Sequence, residues 1–128
     1  MGMDYAGLIL ENTESGLVLS QVECKKADRG GTEAVNASVP LKKNEIYLRA
    51  EIISTGEKIS KSEGGHDLMV KCQMSYSTNG KNFQRFGKPF QVKEGKWIGA
   101  KIGSFCTRPA IVSNDGGWAD LDWFRIGK

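Results

Sequence analysis

The chain has 128 residues, a formal net charge of +3, 39% hydrophobic residues and 26% charged residues. This length suits a single domain over residues 1–128 and is too short for two domains. Basic and acidic residues are interspersed and no basic run exceeds two residues, which argues against a nucleic-acid partner. No apolar run approaches the roughly 18 residues of a membrane span, so no membrane partner is expected. The chain opens without the basic and apolar regions of a signal peptide, and residues 1–3 are expected to be a cloning remnant.

The first half of the chain predicts four short strands separated by polar turns. These strands cover residues 5–11, 16–24, 32–39 and 45–53. The fourth alternates apolar and polar residues, which is the period of a half-buried strand. Its predicted inward side chains are Ile46, Leu48, Ala50 and Ile52, and its predicted outward side chains are Tyr47, Arg49 and Glu51.

The clearest β signal lies in residues 68–83. Apolar side chains occupy alternate positions from Leu68 to Tyr76, and the residues between them are mostly polar. Asn79 and Gly80 then form the pair best able to take positive φ at both centres of a tight hairpin turn. A second strand is therefore expected directly after this pair, in an antiparallel sheet with one polar face.

Three further segments, 89–92, 97–107 and 118–126, complete an all-β pattern. Eight or nine short strands separated by turn signals predict an antiparallel two-sheet β-sandwich of jelly-roll character. We favour this sandwich over a closed barrel because the proline breaks and the long polar loop at 58–65 suit strands that cross between sheets.

Cysteine and histidine do not form a catalytic pattern in this sequence. Cys24, Cys72 and Cys106 are odd in number and widely spaced, unlike the cysteines of a disulfide framework or a zinc site. Cys72 and Cys106 lie in predicted strands and are expected to be core residues. The single histidine, His66, lies in a predicted loop, so no nucleophile with an adjacent base is expected. We predict no catalytic residue, and an enzyme acting alone is disfavoured.

Asp120 and Asp122 form a candidate acidic pair. On a strand their side chains point to the same side, with the two residues about 6.6–7 Å apart along the backbone. The carboxyl groups of inverting glycosidases are held at roughly this separation. Catalysis would also need one carboxyl in an apolar pocket, and alternating acids occur on any solvated strand face. A solvated face is favoured, and calcium binding or direct catalysis stays open.

Trp97 and Trp118 are the surface candidates among the aromatic residues, since each follows a glycine-containing loop. An exposed ring can stack on the C–H-rich face of a sugar, whereas a buried ring packs in the core, and both outcomes stay open. Trp123 and Phe124 are adjacent, so on a strand they face opposite ways. At least one of them is therefore expected in the core, together with Phe105.

Four stretches of the chain, taken in order, resemble one known domain. They are residues 39–49 (VPLKKNEIYLR), 76–83 (YSTNGKNF), 97–105 (WIGAKIGSF) and 117–124 (GWADLDWF). Together they resemble the C-terminal concanavalin-A-like β-sandwich of family-43 glycoside hydrolases, which are β-xylosidases and α-L-arabinofuranosidases. The likeness covers nearly the whole chain, because the first predicted strand also resembles an internal strand of that sandwich.

The resemblance implies a non-catalytic accessory domain whose partner is a catalytic β-propeller of the same parent chain. The propeller and an N-terminal part of the sandwich are absent from this sequence, so we expect an incomplete domain. Uncovered sheet surfaces then predict self-association of the fragment. The implied parent is a periplasmic or extracellular bacterial xylosidase or arabinofuranosidase that acts on plant cell-wall oligosaccharides.

One residue carries the functional part of the resemblance. In the resembling enzymes an aromatic residue just before a glycine-x-x-x-glycine stretch reaches the pocket of the propeller. Trp97 matches this position, with tryptophan in place of the more usual phenylalanine, and the resemblance implies that it forms a wall of the sugar pocket. The alternative function is a stand-alone, lectin-like carbohydrate-binding module with stacking by Trp97 or Trp118. Calcium at Asp120 or Asp122 is the one cofactor that this alternative allows.

Overall fold

The computed structural model describes residues 4–58, 68–92, 101–107 and 118–127. Its strands are β1 (Tyr5–Thr13), β2 (Gly16–Cys24), β3 (Glu33–Pro40), β4 (Tyr47–Lys58), β5 (Leu68–Ser77), β6 (Gln84–Arg85) and β7 (Phe90–Val92). One 3₁₀ turn, Ala27–Arg29, connects β2 to β3. Within these ranges no helix is long and apolar enough to cross a bilayer. The predicted all-β class is confirmed.

The strands form two antiparallel sheets, each built around one central strand. β2 lies between β1 and β3 in the first sheet. In the second sheet β5 pairs with β4 along one edge. Because a strand has only two hydrogen-bonding edges, β6 and β7 share the other edge of β5. The five predicted strands in residues 5–76 correspond to β1–β5, and β4 continues five residues beyond its predicted end.

In the part of the chain that the structure describes, the buried apolar residues come from these two central strands. They are Leu19, Val22 and Cys24 of β2 and Cys72, Met74 and Tyr76 of β5. The ring of Tyr76 meets that of Phe86 edge to face, with centroids 5.2 Å apart, a favoured aromatic geometry. Burial raises the pKa of the Cys72 thiol. Cys72 is therefore a core residue as predicted, whereas Cys106 is exposed and that part of the prediction is wrong.

One hydrogen bond spans the first sheet across its central strand. Tyr5 pairs with Cys24 and Cys24 pairs with Glu33, so the Tyr5 hydroxyl reaches over β2 and donates to Glu33 Oε2 at 2.8 Å. This bond, with burial and the Glu33 charge, raises the pKa of Tyr5 to about 12 from 10.0. Since the raised pKa favours the protonated phenol in the folded state, the bond stabilises the fold below pH 10. That contribution is lost as the pH rises towards 12.

The two sheets meet where Gln21 of β2 lies against the turn that precedes β7. The Gln21 side chain is fully buried, and its Oε1 accepts a hydrogen bond from the Lys88 backbone N–H at 3.4 Å. Gly87 has φ +69°, and a Cβ on it would lie 2.7 Å from Gln21 Cγ and closer still to the amide. Only glycine therefore suits this position, both for its backbone conformation and for the approach of Gln21.

The turn after β5 differs from the predicted tight hairpin. Gly80 has positive φ, at 69°, but Asn79 does not, and β6 begins only at Gln84. The Asn79 side chain bridges the loop instead: its Oδ1 accepts the N–H groups of Lys81 and Asn82, each at 2.9 Å. Asn79 therefore stabilises the turn through its side chain, which accepts backbone N–H groups that a tight hairpin would pair with backbone carbonyls.

The predicted inward face of β4 is largely exposed. Leu48 pairs with Tyr76, Ala50 with Met74 and Ile52 with Cys72, so these residues share one face of the sheet. The β5 members are buried, yet Leu48 is 44% exposed and Ile52 57% exposed, and Ala50 is exposed as well. The alternation of the sequence is confirmed, but inward placement is wrong for these residues because no described element covers β4.

Two predicted strands are also absent from the described ranges. Residues 101–107 and 118–127 have no strand, and the remainder of the predicted segment 97–107 lies outside the described residues. Phe105, Trp123 and Phe124 are 84%, 56% and 59% exposed, so the expected core positions are wrong. Alternating residues form a strand only where a neighbour pairs with their backbone, and these segments have no such pairing in the part of the chain described.

We expect Gly87→Ala to destabilise the protein more than Gly30→Ala. Gly30 has a similar φ of +76° but open space around its Cα, so alanine there adds backbone strain of about 1 kcal/mol. At Gly87 overlap with Gln21 adds about 1–3 kcal/mol. Urea unfolding measures both values, and in a Gln21→Ala background Gly87→Ala should cost less. Equal losses for Gly87→Ala and Gly30→Ala would show that Gln21 does not fill this position.

Candidate functional site

Tyr47 begins β4 and lies against the loop that follows β5. A Cβ on Gly80 would lie 3.1 Å from two carbons of the Tyr47 ring, so the bare glycine backbone lets the ring approach the loop. The same loop is held by Asn79 and by a hydrogen bond of 2.9 Å between the Ser77 hydroxyl and Asn79 Oδ1. The position of the ring is therefore fixed by the pairing of β4 with β5 and by the braced loop that follows β5.

Tyr47 and four other side chains form a group that we call the aromatic cluster. Its members are Tyr47, Arg49, Phe83, Trp123 and Arg125. The rings of Tyr47 and Trp123 have centroids 6.3 Å apart and planes tilted by 45°. The Arg125 guanidinium lies 5.7 Å from the Trp123 centroid, and that of Arg49 lies 3.6 Å from the Phe83 centroid. Tyr47 and Arg49 are two residues apart on β4 and so lie on one sheet face.

The hydroxyl group of the aromatic cluster has a hydrogen-bond partner in the chain. The Tyr47 hydroxyl donates to Glu45 Oε1. This hydrogen bond, followed by the Glu45 charge, burial and the charge of Asp122, raises the pKa of Tyr47. The phenol therefore stays protonated and keeps its hydrogen-bonding group at neutral and mildly alkaline pH. Guanidinium groups over aromatic rings are held by cation–π attraction, which orients their donors.

A concave region lies apart from the aromatic cluster, where residues next to β1 and β2 approach β7. It has a volume of about 200 Å³ and is lined by Asp4, Glu23, Lys25, Pro89, Phe90 and Gln91. Lys25 Nζ is 3.4 Å from Glu23 Oε1, and the Lys26 N–H donates to Asp4 Oδ1 at 2.9 Å. Its charged groups thus already have partners within the chain, and an ion pair this exposed adds little stability.

The structure describes three of the four predicted site residues, Trp118, Asp120 and Asp122. Trp97 lies outside the described residues. Trp118 is 83% exposed. Asp120 and Asp122 are exposed and lie in a segment without strand structure, so the spacing expected of a strand does not apply to them. In the described ranges no three His, Cys, Asp or Glu side chains come together as they would to hold a metal ion. Stacking by Trp97 or Trp118 and calcium at the aspartates stay predictions.

No sequence pattern indicated the aromatic cluster as a whole. The alternation of β4 predicts Tyr47 and Arg49 on the outward face of their strand without a role for either, and Trp123 or Phe124 is expected in the core. An outward tyrosine two residues before an arginine, on a strand with an otherwise apolar opposite face, was the available signal. The contact of Tyr47 with Trp123 joins residues 76 positions apart, so no local pattern could have indicated it.

Three comparisons with known proteins bear on this chain. A family model described as "Beta xylosidase C-terminal Concanavalin A-like domain" matches residues 2–127. A protein named "Beta-xylosidase" from Formosa agariphila is 45% identical over 49 residues. That match covers 38% of this chain and 8% of the relative's own length. No solved structure matches the chain significantly.

Proposed function

Because the chain belongs to the family of β-xylosidase C-terminal concanavalin-A-like domains, we propose that it is a non-catalytic accessory domain that packs on a catalytic β-propeller of its parent enzyme. In this proposal it also helps to shape the sugar pocket of that propeller. The family match across residues 2–127 is the observation that carries the proposal. The parent is proposed to be a glycoside hydrolase that acts on plant cell-wall xylan or arabinoxylan oligosaccharides.

The exposed apolar face of β4 supports a packing role. We define the β4 apolar face as Leu48, Ala50 and Ile52, which share their sheet face with buried residues of β5. A long edge strand with exposed apolar side chains is normally covered in a finished protein. The matched relative is far longer than the matched segment, which is consistent with additional chain that can supply the cover. We propose that the catalytic domain covers this face.

Trp97 is the proposed contact with the sugar pocket. Its assignment rests on the family resemblance, in which an aromatic residue precedes a glycine-x-x-x-glycine stretch, here Gly99 to Gly103. An indole wall would exclude water and would orient the terminal xylose or arabinose for carboxylates supplied by the catalytic domain. The proposed contribution of this chain to catalysis is positional, with the reacting carboxylates supplied by the catalytic domain.

We expect Trp97→Ala in the intact parent enzyme to lower kcat/KM for an aryl xyloside by about ten- to hundredfold, because the terminal sugar loses its positioning wall. Trp97→Phe should retain most of the activity, since it keeps a flat apolar ring. Phe105→Ala, which removes an exposed aromatic side chain elsewhere, serves as the control and should leave the kinetics unchanged. Kinetics unaffected by Trp97→Ala would remove Trp97 from the account.

Self-association of the isolated chain is proposed at the same β4 surface. With no catalytic domain present, the β4 apolar face and the outer edge of β4 can be covered by a second copy. Light scattering should therefore give an average mass that rises with protein concentration. Ile52→Lys should reduce that rise, whereas Ile102→Lys, at a 59% exposed position outside the strands, should not. A constant monomer mass for the unmodified chain would contradict the proposal.

The second candidate function is a stand-alone carbohydrate-binding module that uses Trp118, with calcium at Asp120 or Asp122. The high exposure of Trp118 favours it, because a free indole face is what sugar stacking needs. This function predicts xylo-oligosaccharide binding by the isolated chain that is lost in Trp118→Ala and weakened by a calcium chelator. Titration calorimetry measures both effects. Binding that survives both changes would exclude this candidate.

A further inference from the structure

The aromatic cluster has the chemical groups that a carbohydrate-binding surface needs. Trp123 remains more than half exposed although Tyr47 and Arg125 flank it. Sugars are amphipathic, with apolar C–H faces and a rim of hydroxyl groups. A surface that binds them therefore needs exposed rings with hydrogen-bonding groups at their edges. The cluster and the residues beside it supply both, since two guanidinium groups, a tyrosine hydroxyl and the carboxylate of Glu45 surround the rings.

The charge of this surface favours a neutral ligand. Arg49 and Arg125 bring two positive charges, and Glu45 and Asp122, which both act on Tyr47, bring two negative charges. A nucleic acid or another polyanion would need uncompensated cations to displace its counterions. The surface instead balances its charges locally and leaves hydroxyl recognition as its available polar interaction.

The geometry of the rings favours a chain over a single sugar. The planes of Tyr47 and Trp123 are tilted by 45°, so they present apolar faces in two directions. Successive sugars of a β-linked chain are rotated relative to one another and offer faces in differing directions as well. Tyr47 is held by β4 and by the braced loop at Gly80, so little ordering entropy opposes binding on that side of the surface.

We propose that the aromatic cluster binds a neutral β-linked oligosaccharide chain, with Tyr47 and Trp123 stacking on neighbouring sugars and Arg49 and Arg125 donating to their hydroxyl groups. This site does not use Trp97 or Trp118. It would hold polysaccharide near the catalytic domain in addition to any role in shaping the pocket. The choice of a xylan-type probe rests on the proposed function, whereas the site itself rests on the contacts described above.

The test is titration calorimetry of the full 128-residue chain with xylohexaose and, separately, with cellohexaose. We expect saturable binding of at least one probe, and Trp123→Ala should weaken it by about tenfold or more. The affinity of Trp123→Phe should lie between that of the unmodified chain and that of Trp123→Ala, since phenylalanine keeps a smaller ring. The matched control is Phe105→Ala, which deletes an exposed ring outside the cluster and should bind like the unmodified chain. Trp123 lies outside all described strands, so its replacement should leave the far-UV circular dichroism spectrum unchanged.

A second readout does not depend on an alanine variant. The chain has three tryptophans, and their indole N–H signals can be assigned in an NMR spectrum by single substitutions to phenylalanine. Added oligosaccharide should shift the Trp123 indole signal more than the Trp118 signal. Absence of binding to both hexasaccharides, equal binding by Trp123→Ala, or a shift confined to Trp118 would overturn the proposal. Binding of cellohexaose alone would support the site and would count against a xylan-specific parent. The kinetic test of Trp97 is unaffected by any of these outcomes.

Discussion

The side chain of Gln21, fully buried against Gly87 and Lys88, joins the two sheets of this protein. Its Oε1 accepts a hydrogen bond from the Lys88 backbone N–H, which links β2 to the turn before β7. β7 in turn pairs with β5, so the central strand of one sheet is tied to the central strand of the other. Within the described ranges, the six buried apolar residues all lie on these two strands. The placement of every other described strand follows from pairing with β2 or β5.

β4 differs from the other described strands because each of its two faces is proposed to bind a different partner. Its odd-numbered residues Tyr47 and Arg49 belong to the aromatic cluster, and its even-numbered residues form the β4 apolar face. The period of two in a strand makes this division possible, since adjacent residues point to opposite sides. One edge strand can therefore contact a catalytic domain through one face while the other face stays available for polysaccharide.

The alternation of apolar and polar residues was sufficient to predict β4 and β5, but it did not predict which strand faces are buried by other parts of the protein. Alternation in residues 45–53 and 68–76 identified β4 and β5, and the burial of Cys72, Met74 and Tyr76 agrees with it. The same alternation placed Leu48 and Ile52 inside, because a sequence shows which side chains share a face but not whether another layer lies over that face. Phe105 and at least one of Trp123 and Phe124 were expected in the core, yet all three side chains are more than half exposed in the described chain.

The contacts of the candidate site also could not be predicted from local sequence pattern. Asn79 and Gly80 were correctly assigned to a turn, but positive φ at Gly80 alone and the bridging side chain of Asn79 produce a longer loop. That loop is what brings Phe83 to Arg49 and Gly80 to Tyr47. Contacts of this kind depend on tertiary approach, so only the structure reveals the aromatic cluster. The family likeness, by contrast, was accessible from four ordered motifs.

The central claim is that β4 is an interface strand whose cover comes from the catalytic domain. Hydrogen–deuterium exchange measured on the isolated chain at low concentration and on the intact parent enzyme tests it directly. We expect the outer-edge amides of β4 to exchange at least about tenfold more slowly in the parent, while those of β2, which pairs with a strand on each edge, change little. Identical exchange of β4 in the two proteins would contradict the account.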